Sequence, residues 1–151
     1  MTGSARAYRD SATQGATHID ILLACYDALA QDIRLAGESA ARGDVVARCR
    51  YSQHALLFIG HLESWISLFD NLELCASLTD FYTYVRAEIL RLQVCTELGS
   101  FMKLALLVCE TRAAWQSKQS AELSKVNVVS TATTYSLAEP ETTFSHFTVS
   151  A

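Results

Sequence analysis

The sequence predicts an all-α protein: an antiparallel up-down four-helix bundle with a short N-terminal segment and a flexible C-terminal tail. Three observations carry this reading. The only proline is Pro140, so no ring interrupts a helix before that point. Through the first 125 residues apolar side chains recur at helical spacing, and alternating β-branched runs bounded by turns are absent. The breaks between the periodic stretches are short, which makes consecutive helices antiparallel neighbours. The expected boundaries are a mobile N-terminal segment at 1–16, the bundle at 17–125 and a disordered tail at 126–151.

The first helix is expected to start near Thr17. Ile19, Leu22, Cys25, Tyr26, Leu29, Ile33 and Ala36 form one apolar stripe at 100° per residue. Asp20, Asp27, Gln31, Arg34 and Glu38 lie opposite, with Arg34 and Glu38 spaced to pair. In the stretch Ala41 to Asp44, Gly43 suits a left-handed cap and Asp44 suits the start of the next helix.

The second helix, from about Val45 to Phe69, carries two apolar arcs. Val46, Cys49, Gln53, Leu56, Leu57, Gly60 and Leu68 form one. Tyr51, Ala55, Phe58, Leu62, Ile66 and Phe69 form the other, with Trp65 on its edge. A helix with two apolar sides buries both or offers one to a partner. A turn at 70–73 precedes a third helix striped by Leu74, Leu78, Phe81, Tyr82, Val85, Ile89 and Leu92. Gly99 and Ser100 then supply a turn and cap for a fourth, with Phe101, Leu104, Ala105, Val108 and Trp115 on one face. Beyond residue 125 the chain becomes rich in Ser and Thr, with no Lys or Arg, and reads as a tail.

Composition narrows the function. A formal net charge of −4 with scattered Lys and Arg argues against a nucleic-acid surface. No stretch is apolar enough for a signal peptide or a membrane span, so a cytosolic protein is expected. The five cysteines are odd in number and form no CxxC pair, and they read as buried hydrophobes. No Glu has a His three residues later, as a di-iron bundle requires, and His54 and His61 are too far apart for a one-turn metal clamp. GxSxG, HExxH and a phosphate-binding glycine loop are all missing. A binding protein without cofactor or metal is therefore expected rather than an enzyme. The arc of Tyr51, Phe58, Leu62, Trp65, Ile66 and Phe69 is the candidate wall of a groove for a partner helix. It can instead pack on a neighbouring helix, and the sequence leaves both open.

The order of motifs resembles the FliS family of flagellar secretion chaperones. Ala7-Tyr8 precedes the first helix, and Ile21 to Ala28 read as an apolar run followed by Tyr26-Asp27 and a small residue. Arg42-Gly43-Asp44 is similar to the family's Gly-Asp turn, Leu78 to Tyr84 to its Leu-Tyr-x-Tyr segment, and Glu110 to Trp115 to its Leu-Arg-x-x-Trp ending. The family's Gly-Gly loop is replaced by glycine-free Ser67 to Cys75, which marks a divergent member. The resemblance implies a cytosolic export chaperone that binds the disordered C-terminal segment of flagellin and holds it from premature polymerisation. It also implies contact with the flagellar export apparatus. Tyr8 would then be a lid residue displaced by the client, and Tyr26 joins it among the expected partner-binding residues. The competing expectation is a structural or regulatory bundle whose apolar arcs make a homodimer. A monomer or weak dimer fits the chaperone reading.

Overall fold

Four long helices form in the computed structural model, which describes the backbone of residues 3–136 and the side chains of residues 18–121. They are α1 (Gly3–Ala41), α2 (Val45–Ser64), α3 (Leu72–Arg91) and α4 (Leu98–Ser136), with one 3₁₀ turn at Ile66–Leu68. No strand occurs among the described residues. The chain divides into two compact units, Met1–Gln116, which holds the bundle, and Ser117–Ala151.

The connections follow the caps foreseen in the sequence. Gly43 takes a positive φ of 73°, where a side chain would be strained. Asp44 then caps α2, its carboxylate accepting from the Ala47 N–H at 2.9 Å. Asn71, in a stretch the sequence marks only as a turn, does the same for α3 through the Leu74 N–H at 3.0 Å. At α4 the cap differs from expectation. The helix begins at Leu98, so Gly99 and Ser100 lie inside its first turn, and the Ser100 hydroxyl donates to the Glu97 carboxylate instead of capping.

The outer limits also differ. α1 begins at Gly3 rather than near Thr17, and α4 runs through 126–136, which the sequence marks as tail. Amphipathic striping fades in both stretches, but neither contains proline, and β-branched residues lower helix propensity without ending a helix. Residues 137–151 of the expected tail lie outside the described residues.

Pairings across the seams establish the antiparallel arrangement. Asp27 of α1 meets Arg112 of α4, while Gly37, further along α1, meets Phe101, further back on α4. Glu63 of α2 pairs with Arg86 of α3, and Ser52 with Gln93. The Asp27–Arg112 contact is an ion pair at 2.6 Å in which the Arg112 Nε–H makes no hydrogen bond.

Each helix contributes one stripe to a single core. Leu22, Tyr26, Leu29 and Ile33 come from α1, Leu78, Tyr82, Val85 and Ile89 from α3, and Phe101, Leu104 and Val108 from α4. On α2 the buried line is Ser52, Ala55, Ile59 and Leu62, which takes Ala55 and Leu62 from the second expected arc and no residue from the first. Ile59 belongs to neither and is fully buried, whereas Val46 and Leu57 face outward. Two neighbouring helices share the contact line, and the small Ser52 and Ala55 let them approach it. The cysteines are all free and none is buried as expected: Cys25, Cys49 and Cys75 are half-buried, and Cys95 and Cys109 are exposed.

The α1–α2 seam holds a hydrogen-bonded pair, Asp32 and His54. Asp32 is nearly buried, with its carboxylate 2.7 Å from Nδ1 of the half-exposed His54. Burial raises the Asp32 pKa above its ordinary value, and the charge and hydrogen bond of His54 only partly offset this. The contribution of a raised carboxyl pKa is full below the unfolded pKa and is lost as pH rises through the folded one. Asp32→Asn does not titrate, so wild-type stability relative to this variant should fall between pH 3 and pH 7. Urea midpoints at the two values test this; a difference that is flat or rises with pH contradicts it.

Candidate partner-binding site

The end of α2 is shaped by local chain geometry. Trp65 closes the helix, the 3₁₀ turn Ile66–Leu68 follows, and Phe69 is extended at φ −94° and ψ 132°. The Cys75 thiol reaches the Ile66 and Phe69 carbonyls at 3.4 Å each, tying the turn to the start of α3. This turn swings Trp65, Leu68 and Phe69 against His18, Ile19 and Leu22 of α1, enclosing a pocket of about 420 Å³. That volume lies in the range of ligand-binding clefts, and five of its six lining residues are apolar. Leu22 forms a buried floor, while Leu68 stands 66% exposed at the lip.

Beneath the pocket lies a polar network. Phe69 stacks on Trp115 with ring centroids 5.5 Å apart and planes at 30°. The Trp115 indole N–H donates to the Tyr26 hydroxyl at 3.2 Å, and that hydroxyl lies 2.8 Å from the Tyr82 hydroxyl. Burial pushes both tyrosine pKa values up, and for Tyr82 the neighbouring Tyr26 adds to the shift. Both phenols are held in the neutral form, suited to hydrogen bonding. Among the described residues no group of three or more His, Cys, Asp or Glu side chains could hold a metal ion.

The expected partner-binding residues separate into four places. Trp65 and Phe69 line the pocket, and Ile66 packs on the core within the same turn. Leu62 and Tyr26 are buried completely in the core, which corrects their assignment to a partner surface in this packing. Tyr51 lies further along α2, in a shallow depression with Arg50, Gln53, His54 and Leu57. Phe58 meets the rings of His54 and His61 at 4.9 and 6.4 Å. The Tyr8 side chain lies outside the described residues.

Sequence reasoning missed His18 and Leu68 as members of the site, and it placed Ile19 and Leu22 only in the core stripe. A signal for the grouping exists. Leu22 and Trp65 stand at nearly equal distances on either side of the Gly43 turn, so an antiparallel hairpin brings them together.

Among the described residues no helix is long and apolar enough to cross a membrane. No curated protein matches the chain. A family model does, over residues 1–122, and its description is flagellar protein FliS.

Proposed function

The chain belongs to the flagellar protein FliS family, a family of flagellar export chaperones, and we propose that it binds the C-terminal segment of flagellin in the cytosol. There it would keep the subunit from polymerising early and assist its delivery to the export apparatus. The observation that supports this reading is the open apolar pocket at the end of α2, floored by the buried Leu22 and with the exposed Leu68 at its lip. A segment that is unfolded before export loses ordering entropy when it binds. It therefore needs apolar anchors that gain enough by burial to offset that loss. Trp65, Leu68 and Phe69 offer such a surface without any change in the core.

Calorimetric titration of a flagellin C-terminal peptide into the protein should give a one-to-one complex. Leu68→Ser should weaken it about tenfold, in keeping with loss of one buried aliphatic contact. Because Leu68 is largely exposed, the thermal midpoint of the variant should match the wild type. Absence of peptide binding contradicts the proposal. Unchanged affinity in Leu68→Ser moves the client off this pocket.

A further inference from the structure

The pocket lies in a stretch of unbalanced charge. From Tyr51 to Val85 the chain contains Glu63, Asp70, Glu73 and Asp80 but neither Lys nor Arg. From Ser11 to Ile33, on the facing helix, it contains Asp20, Asp27 and Asp32 and again no Lys or Arg. Three of these carboxylates are already matched: Glu63 by Arg86, Asp27 by Arg112 and Asp32 by His54. Asp70 and Glu73 are exposed and have no cationic partner among the described residues.

Their position gives the imbalance a meaning. Asp70 directly follows Phe69 of the pocket wall, and Glu73 lies in the first turn of α3. Both carboxylates stand at the positive end of the α3 dipole, Asp70 just before the cap and Glu73 in the first turn, which favours their charged forms without supplying a cationic partner. Leu68 and Leu72 alternate with these acids along the chain and are 66% and 85% exposed. The mouth of the pocket thus continues into a lip of leucines interleaved with carboxylates.

We propose that this lip selects client segments whose apolar anchors are flanked by lysine or arginine. The anchors fill the pocket, the aliphatic stems of the basic residues cover Leu68 and Leu72, and their cationic heads meet Asp70 and Glu73. Exposed charge pairs add little affinity each, so the lip discriminates by the difference between accepting a basic flank and repelling an acidic one. The inference rests on the pocket being the client site, as proposed above.

The test uses two synthetic amphipathic peptides with identical leucine and phenylalanine anchors, one flanked by lysines and the other by glutamates. Each is titrated into the full chain and into the double variant Asp70→Asn/Glu73→Gln, at low and at high salt. The lysine peptide should bind the wild-type chain about tenfold more tightly at low salt. That preference should shrink at high salt, and it should largely vanish in the double variant. Equal affinities for the two peptides, no binding of either, or a preference that survives in the double variant overturns the proposal. A flagellin C-terminal peptide run in parallel keeps the two readings apart. Its failure to bind, with the lysine preference intact, overturns the flagellin assignment alone.

Discussion

Replacing Gly37 with alanine should destabilise the bundle by about 1–3 kcal/mol, the usual cost of forcing extra volume into a packed core. On propensity alone the same change in a helix interior is favourable by about 0.5–1 kcal/mol. Packing reverses the sign. A Cβ at Gly37 would stand 2.6 Å from Cβ of Phe101, 3.0 Å from its Cγ and 3.2 Å from Cε of Met102. The Met102 methyl can swing aside, but the Phe101 Cβ is fixed to the α4 backbone and its ring is buried. Relief requires moving one helix away from the other. Gly60 supplies the control, since a Cβ there meets nothing within 4 Å. Gly60→Ala should therefore raise stability by about 0.5–1 kcal/mol. Urea unfolding of the two variants beside the wild type decides the matter, and a Gly37→Ala protein as stable as the parent contradicts the close α1–α4 approach.

The second large effect concerns the tyrosine pair. Tyr26 is the shared member of the network, bonded both to Trp115 and to Tyr82. Trp115 can only donate, so one of the two lone pairs of Tyr26 is committed to it. The single contact between the hydroxyls uses one of their two hydrogens, and the other finds no acceptor within the trio. Tyr82→Phe therefore removes one bond and leaves the Trp115 contact in place, at a cost of about 0.5–1.5 kcal/mol. Tyr26→Phe removes both bonds and leaves the Tyr82 hydroxyl buried without its partner, at a cost of about 2–3 kcal/mol. The ordering carries the argument more than the magnitudes do. Equal losses, or a larger loss from Tyr82→Phe, would show that the network is organised around a different centre.

Much of the fold was legible because amphipathic periodicity records which face of a helix is buried. The stripes of α1, α3 and α4 match the core residue for residue at Tyr26, Leu29 and Ile33, at Leu78, Tyr82 and Val85, and at Phe101, Leu104 and Val108. Periodicity fails where a helix has apolar residues on several sides, and α2 is that case. Ile59 was passed over there because the buried face is chosen by two neighbours and not by the helix itself. Periodicity is also silent about helix ends, which explains the misplaced limits of α1 and α4. The pocket was half legible. Trp65 and Phe69 stood out as large aromatics near a helix end, whereas His18 and Leu68 become neighbours only when the hairpin closes.

The order in which the seams close follows from the same topology. The turn at Gly43 joins α1 to α2 through residues near in sequence, while the α1–α4 seam joins residues far apart in sequence. The entropy of closing a loop grows with its length, so the first seam is the easier to form. A chain growing from a ribosome can complete the α1–α2 hairpin as soon as α2 has emerged. It cannot seat Phe101 on Gly37, or supply Tyr26 with the Trp115 indole, until most of α4 has been made. Until then the Tyr26 face of α1 is only partly covered, by Tyr82 of α3, and α4 is the segment that completes its cover.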